Sequence, residues 1–248
     1  MKKKLFVLSD VHGHFEQMVQ ALRAAGFDAE NEEHYLLSCG DLFDRGSENG
    51  QVYEYLRSLS HKILLRGNHE DLLRDALLRG YINEVDRANK TDLTLRALLP
   101  AGGVDEEGVL DQDACAPVIE EIVAFLDAMG DFYETDRYVF THGWLPCRVE
   151  GRCPSVLPDW RQAGEEEWRE AHLLEWQQFY AVGCILEGKT IVCGHRPAEM
   201  GRMFDPFREP DCPEPFFGEG MIAIDGYTVK SGRVNVLVIE EGQTEISD

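Results

Sequence analysis

The chain has 248 residues, 44% hydrophobic and 28% charged, enough for one large globular domain or a core domain carrying insertions. Its 24 lysines and arginines face 46 acidic residues, a net charge of -22. That charge argues against nucleic-acid polymers and anionic membranes as partners, but not against a phosphorylated substrate, because bound cations invert a local field. No run of about 18 uncharged apolar residues occurs, so no transmembrane helix is expected. The seven cysteines are odd in number and form no Cys-x-x-Cys, so neither a disulfide framework nor a zinc ribbon is expected, and a reducing cytoplasm is the expected location.

In chain order, the apolar run that follows the N-terminal lysines stops at Ser9-Asp10, too short for a signal-peptide core, and residues 4–9 read as a buried strand. Residues 15–25 have helical periodicity, with Gly26 as the stop. Strands are expected at 35–39 and 62–65 and helices at 50–59 and 69–78, an alternation that implies βαβ units with parallel strands. From 79 to 131 the pattern is mostly helical, most clearly over 117–129, where Pro117 suits a first helical turn. Residues 101–113, rich in glycine and acid, read as a loop. Strands resume at 138–141, 190–193, 221–224 and 234–239. Between them lie a loop around 146–158, an acidic helix near 165–182 and an irregular segment at 200–220. The acidic run at 164–167 reads as a solvated helix start, not a site. The later strands lack regular helical crossovers, so part of the sheet system is expected to be antiparallel. The fold class is α/β with mixed sheets. The expected organisation is a single domain over 1–248, with a helical insertion at about 79–131 and loop insertions at about 145–188 and 200–220.

The chemistry-bearing residues follow expected strands. The first ends in Ser9-Asp10-Val11-His12-Gly13, the second in Gly40-Asp41-Leu42-Phe43-Asp44-Arg45-Gly46 and the third in Arg66-Gly67-Asn68-His69-Glu70. Later strands end in Thr141-His142-Gly143-Trp144 and Gly194-His195-Arg196. Carboxyl ends of strands in α/β sheets form the ligand crevice. Asp10, His12, Asp41, Asn68, His142 and His195 offer oxygen and nitrogen ligands and no thiolate. That set suits manganese, with iron or zinc as alternatives. Asp41 has two oxygens with which to bridge two metals, and a pair of ions about 3.5–4 Å apart can hold a hydroxide for in-line attack on phosphorus. His69 is the candidate proton donor to the leaving group, oriented by Asp44, and Arg45 can grip phosphate oxygens with its planar fork. Singly, Asp10 reads equally well as a helix cap, Asn68 as a turn residue and His142 as a buried histidine. Five such motifs, each after a strand, favour a site.

These motifs resemble the calcineurin-like metallophosphoesterase superfamily, and most closely its phosphoprotein phosphatase branch with its bacterial serine/threonine phosphatase and diadenosine tetraphosphatase relatives. Gly40 to Gly46 matches GDxxDRG, Gly67 to Glu70 matches GNHE, and Asp10 to Gly13 matches D-x-H-G. Ile224-Asp225-Gly226, followed by Gly232-Arg233-Val234, is similar to the branch's closing segment. The resemblance implies a four-layer α/β/β/α sandwich with the site at one rim of two sheets. It implies one metal on Asp10, His12 and Asp41 and another on Asp41, Asn68, His142 and His195, with His69 and Asp44 as donor and partner and Arg45 on the phosphate. A second phosphate-binding arginine would fall on Arg161 or Arg169, with Arg196 or His172 as alternatives. Ser9 replaces a glycine of the family pattern, Trp144 stands where a second glycine is usual and suggests a bulkier pocket wall, and Arg196-Pro197 follows the last histidine. The expected activity is hydrolysis of phosphomonoesters, in phosphoserine or phosphothreonine proteins or in a small phosphate ester. The alternative is hydrolysis of dinucleoside polyphosphates, for which Phe204, Phe207, Phe216 and Phe217 would stack on a base; otherwise these rings anchor their loop.

Overall fold

The computed structural model describes residues 3–150 and 153–241. In chain order the elements are β1 (Lys3–Leu8), α1 (Phe15–Ala24), β2 (His34–Ser38), α2 (Asn49–Ser58), β3 (Lys62–Leu64) and α3 (Asn68–Arg79). Next come α4 (Glu84–Asn89), α5 (Thr91–Leu98), α6 (Gln112–Asp127), β4 (Phe132–Glu134), β5 (Tyr138–Thr141), β6 (Cys147–Glu150) and β7 (Cys153–Val156). The chain continues through α7 (Glu165–His172), α8 (Trp176–Tyr180), β8 (Thr190–Cys193), β9 (Phe216–Gly218), β10 (Met221–Ala223), α9 (Thr228–Ser231) and β11 (Leu237–Glu241).

One sheet has the order β11-β1-β2-β3, with β1, β2 and β3 parallel and β11 antiparallel to β1. The other has the order β4-β5-β8-β10-β9, with a parallel centre and antiparallel edges β4 and β9. Successive side chains of a strand point to opposite faces, and the core divides accordingly. Leu5, Val7 and Leu37 pack with Phe140, Val192 and Ile222 between the sheets. Phe6, Leu8 and Leu36 turn the other way, onto Met18, Leu22, Leu56, Leu73 and Ile122 of the helices. On the second sheet Val139, Ile191 and Met221 face away from the inter-sheet core, onto Trp144, Trp168, Trp176 and Phe179. The result is helices, sheet, sheet, helices. Within each sheet the parallel strands end at a common edge, which brings the loops after β1, β2 and β3 together, and likewise those after β5, β8 and β10.

The main departures from the sequence reading have local causes. Pro117 lies inside α6, not in its first turn, because Asp111 supplies an N-cap, accepting from the Ala114 N–H, and starts the helix earlier. The expected loop at 146–158 contains the β6–β7 hairpin, of which residues 151 and 152 lie outside the described residues. The expected acidic helix is two, α7 and α8, and the segment at 200–220 holds β9. The last strand begins at Leu237, three residues beyond the expected start. Trp144 is fully buried and stacks on Phe179, with ring centroids 5.8 Å apart. No helix among the described residues is long and apolar enough to cross a membrane.

Candidate metal centre

The loops at the sheet edges are built from unusual backbone. Asp10, His12, Asp41, Asp44, Arg45 and His195 all have positive φ, between 47° and 70°. For a residue with a Cβ this conformation costs about 1 kcal/mol or more, and such strain gathers where function needs it. Two glycines admit the close approaches. A Cβ on Gly67 would stand 2.3 Å from Asp41 Oδ1, and one on Gly194 would stand 2.3 Å from Asp10 Oδ2.

Asp41 is the hub of the cluster. Ligand atoms of His12, Asp41 and His69 lie within 4.8 Å of one another, as do those of Asp41, His142 and His195. Asp10 Oδ1 is 3.9 Å from His12 Nε2, and Asn68 Oδ1 is 3.1 Å from His142 Nε2. All six residues expected as ligands therefore meet at one place. His69 joins them, with Nε2 3.9 Å from Asp41 Oδ2. The donor set fits divalent cations. His12 Nδ1 donates to the Phe43 carbonyl at 3.0 Å and His142 Nδ1 to the Cys39 carbonyl at 2.7 Å, which turns each Nε2 into the cluster. Without a metal, burial opposes charge on His142, but Asp41 outweighs burial and raises it to about 10, so an ion binding there would displace its Nε2 proton. A cation already stands there: one guanidinium nitrogen of Arg45 is 2.9 Å from His12 Nε2, and the other is 2.9 Å from His69 Nε2.

Electrostatics separates the groups. Burial pushes His12 down to about 3, and burial with the neighbouring His142 does the same to His195, so both are neutral imidazoles ready to ligate. Burial would raise Asp41, but the facing His142 and His69 hold it well below the usual carboxylate range. Asp10 goes the other way, raised by burial and by Asp225. His69 is raised: burial opposes its charge, but Asp41 and Asp44 outweigh burial.

The expected Asp44–His69 pair is present, with His69 Nδ1 2.7 Å from Asp44 Oδ2. Asp44 is fully buried, and its two oxygens accept from Thr91 Oγ1 at 2.7 Å and Thr94 Oγ1 at 2.6 Å, both on α5. Sequence reasoning missed these threonines, which act from 47 and 50 residues away. It also missed Glu70, whose buried carboxylate accepts from the backbone N–H groups of Asp41, Leu42 and Gly67, each at 2.8 Å, and so ties the second and third strand ends together. The four-residue motif holding Glu70 is visible in the sequence, but the backbone groups its carboxylate binds are not. Asp225, after β10, is buried and raised to about 7 by burial, with Asp41 adding to the effect.

The candidates for a second phosphate-binding arginine are engaged elsewhere. Arg161 forks onto Glu134 and stacks over Trp160. Arg169 forks onto Asp75, and Arg196 pairs with Glu175. His172 is buried, with Nδ1 2.9 Å from Asp71 Oδ2. Phe204 and Phe216 pack with Trp176 and Tyr180 and anchor their segment, whereas Phe207 and Phe217 are exposed.

Comparisons with known proteins agree with this geometry. A serine/threonine-protein phosphatase 1 of Salmonella typhimurium is 36% identical over 74 residues, covering 30% of this chain and 33% of that protein. A symmetrical bis(5'-nucleosyl)-tetraphosphatase of Colwellia psychrerythraea is 32% identical over 120 residues, covering 48% of this chain and 38% of that protein. The matched stretches thus span little more than a third of these relatives. Among solved structures, a proposed diadenosine tetraphosphatase superposes with a TM-score of 0.57 at 15% identity, covering 97% of this chain and 95% of that one. A Saccharomyces cerevisiae serine/threonine phosphatase superposes with a TM-score of 0.56 at 14% identity, covering 99% of this chain and 82% of that one. At these identities the superpositions speak for the fold alone. The family model for the calcineurin-like phosphoesterases matches residues 3–220, a span that takes in the strand ends carrying Asp10, His12, Asp41, Asn68, His142 and His195. The chain belongs to the calcineurin-like phosphoesterase family, hydrolases that use divalent metals.

Proposed function

We propose that this protein hydrolyses phosphate monoesters, either phosphoserine and phosphothreonine in proteins or a small phosphate ester. It would use two divalent ions held by Asp10, His12, Asp41, Asn68, His142 and His195, with manganese as the proposed metal and a reducing cytoplasm as the proposed location. Such ions, when bound, neutralise phosphate charge and supply an activated water. The chain's own residues do the rest. Asp41 faces both halves of the cluster. Asp44 fixes His69 through Nδ1, which leaves Nε2 to carry a proton to the leaving alkoxide.

The observation that carries the reading is the Arg45 fork, poised between His12 and His69 on an exposed loop residue. A monoester presents two or more unshared anionic oxygens, which a guanidinium takes bidentately, while a diester offers one charge fewer and a substituent in the way. Arg45→Ala should cut kcat/KM on monoesters more than on diesters, and Arg45→Lys should restore only part of the loss. A second reading, dinucleoside polyphosphate hydrolysis, is supported by the name of the Colwellia relative. Kinetics on wild-type protein with diadenosine tetraphosphate, phosphopeptides and small monoesters decide between them. A dinucleotide advantage of about tenfold or more, a difference of about 1.4 kcal/mol, overturns the monoesterase reading.

A further inference from the structure

Next to the ligand cluster, a buried polar seam joins the two sheets. Leu65, at the end of β3, bridges to Gly130, just before β4, and the Arg66 N–H donates to the Gly130 carbonyl at 2.8 Å. Arg66 Nη2 reaches Asp131 Oδ1 at 2.7 Å. His172, in the last turn of α7 and fully buried, stands between Asp131 and Asp71 of α3. Its Nδ1 is 2.9 Å from Asp71 Oδ2, while its Nε2 is 3.6 Å from Asp131 Oδ1 and makes no hydrogen bond. An ionised carboxylate only accepts, so Nδ1 carries the proton and donates to Asp71.

Both ends of this link lead to expected metal ligands. Asp71 follows Asn68 by one turn on the same face of α3. At the other end, the carbonyls that close α7 cradle the loop holding His142. The Trp144 N–H donates to the Ala171 carbonyl at 3.1 Å. A Cβ on Gly143 would stand 2.5 Å from the His172 carbonyl oxygen and 2.6 Å from that of Ala171, so only glycine lets the loop seat this closely. The His142 and His172 rings meet edge to face, with centroids 6.3 Å apart. Asn68 Oδ1 and His142 Nε2, 3.1 Å apart, are thus carried by two elements that His172 fastens together. Packing alone does not call for an imidazole here, because a buried polar ring with one nitrogen unpaired costs free energy that an apolar side chain would not.

On the reading that Asn68 and His142 share an ion, we infer that His172 is a positioning residue: held by Asp71 on one side and seating Gly143 on the other, it sets the spacing of Asn68 and His142 and so the affinity for the ion they would hold. Asp10 and His12, expected on the other ion, come from the loop after β1, which is fastened elsewhere. There the His12 N–H donates to the Asp41 carbonyl at 3.0 Å and the Gly13 N–H to the Leu42 carbonyl at 2.9 Å. The influence of His172 therefore falls on one ion of the pair.

The test counts manganese on the chelator-stripped full chain, at a free concentration that fills the wild type. It compares His172→Asn with His172→Gln, because an asparagine amide nitrogen can stand where Nδ1 stands and a glutamine nitrogen where Nε2 stands. His172→Gln should weaken one ion by about 10–100-fold, the usual effect of removing a group that orients ligands. It should then bind about one equivalent where the wild type binds about two. The other ion should keep its affinity, and His172→Asn should retain most of the second equivalent. A residue that only stabilises the fold would lower the Tm of the metal-free protein without this selectivity or this rescue. Where His172→Gln does not fold, Asp71→Asn carries the test: it removes the charge from the same link at constant volume and should act in the same direction by a smaller factor. Wild-type affinity for both ions in the variant used, or equal weakening of both, overturns the positioning role and leaves the two-metal reading standing. A wild type that binds fewer than two ions overturns the two-metal reading and this inference with it.

Discussion

Asp41 and His69 sit side by side, and their neighbours give them different tasks. Asp41 belongs to both ligand groupings and is held ionised chiefly by the facing His142 and His69. Asp41→Asn keeps the side-chain volume while removing a charge and an acceptor, so metal analysis should show a fall from about two ions toward none. Two ions with normal turnover would remove Asp41 from the bridging position. His69 also falls within ligand distance, but its Nδ1 is committed to Asp44. If it is the proton donor, His69→Asn should retain the metals and slow esters with alkyl leaving groups by about 10²–10⁴-fold, with a smaller loss for nitrophenyl phosphate, whose leaving group needs less protonation. Loss of an ion in that variant would make His69 a ligand instead.

At the scale of elements, α5 does something its sequence gives no sign of. Thr91 and Thr94 are ordinary helix residues when read locally; in the fold both hydroxyls donate to Asp44. Hydrogen bonds to a charged group are worth about 1.5–3 kcal/mol each. Thr91→Val/Thr94→Val should therefore lower stability by a few kcal/mol and reduce alkyl-ester turnover by about tenfold or more, with metal content intact. Unaltered kinetics in the double variant would show that Asp44 needs no support from α5. The contrast explains what the sequence discloses. Residues 10–13, 40–46 and 67–70 were legible because glycine, aspartate and histidine after an apolar run are local signals for a turn at a strand end. Thr91, Thr94 and Glu70 act across 28 to 50 residues, a span that no local pattern reports. The loop expected at 146–158 holds β7, whose Pro154 sits in a two-stranded ribbon, where proline costs little. Edge strands β4 and β9, of three residues each, are too short for alternation to declare itself.

For the molecule as a whole, the centre is where the two sheets meet at their rims. Asp10, Asp41 and Asn68 follow β1, β2 and β3 of one sheet; His142, His195 and Asp225 follow β5, β8 and β10 of the other. Behind the rim the sheets are joined by an apolar interface of leucine, valine, isoleucine and phenylalanine, which is indifferent to metal. At the rim itself, buried carboxylates confront one another, and Asp10 and Asp225 are both raised by burial and by their acidic neighbours. Divalent ions would replace that repulsion with bonds to both sheets, so they should stabilise the fold and not only the active centre. At a free-ion concentration about 100 times Kd the gain is about 2.7 kcal/mol. At roughly 2–4 °C per kcal/mol for a chain of this size, Tm should rise by about 5–10 °C when chelator-stripped protein receives manganese. With a net charge of -22, any cation screens some self-repulsion, so the comparison is made against monovalent salt at equal ionic strength. Asp41→Asn should lose most of the metal-dependent rise while keeping the salt-dependent part. A Tm indifferent to chelation, or a manganese effect of equal size in Asp41→Asn, would mean that the ions do not tie the sheets together at this rim.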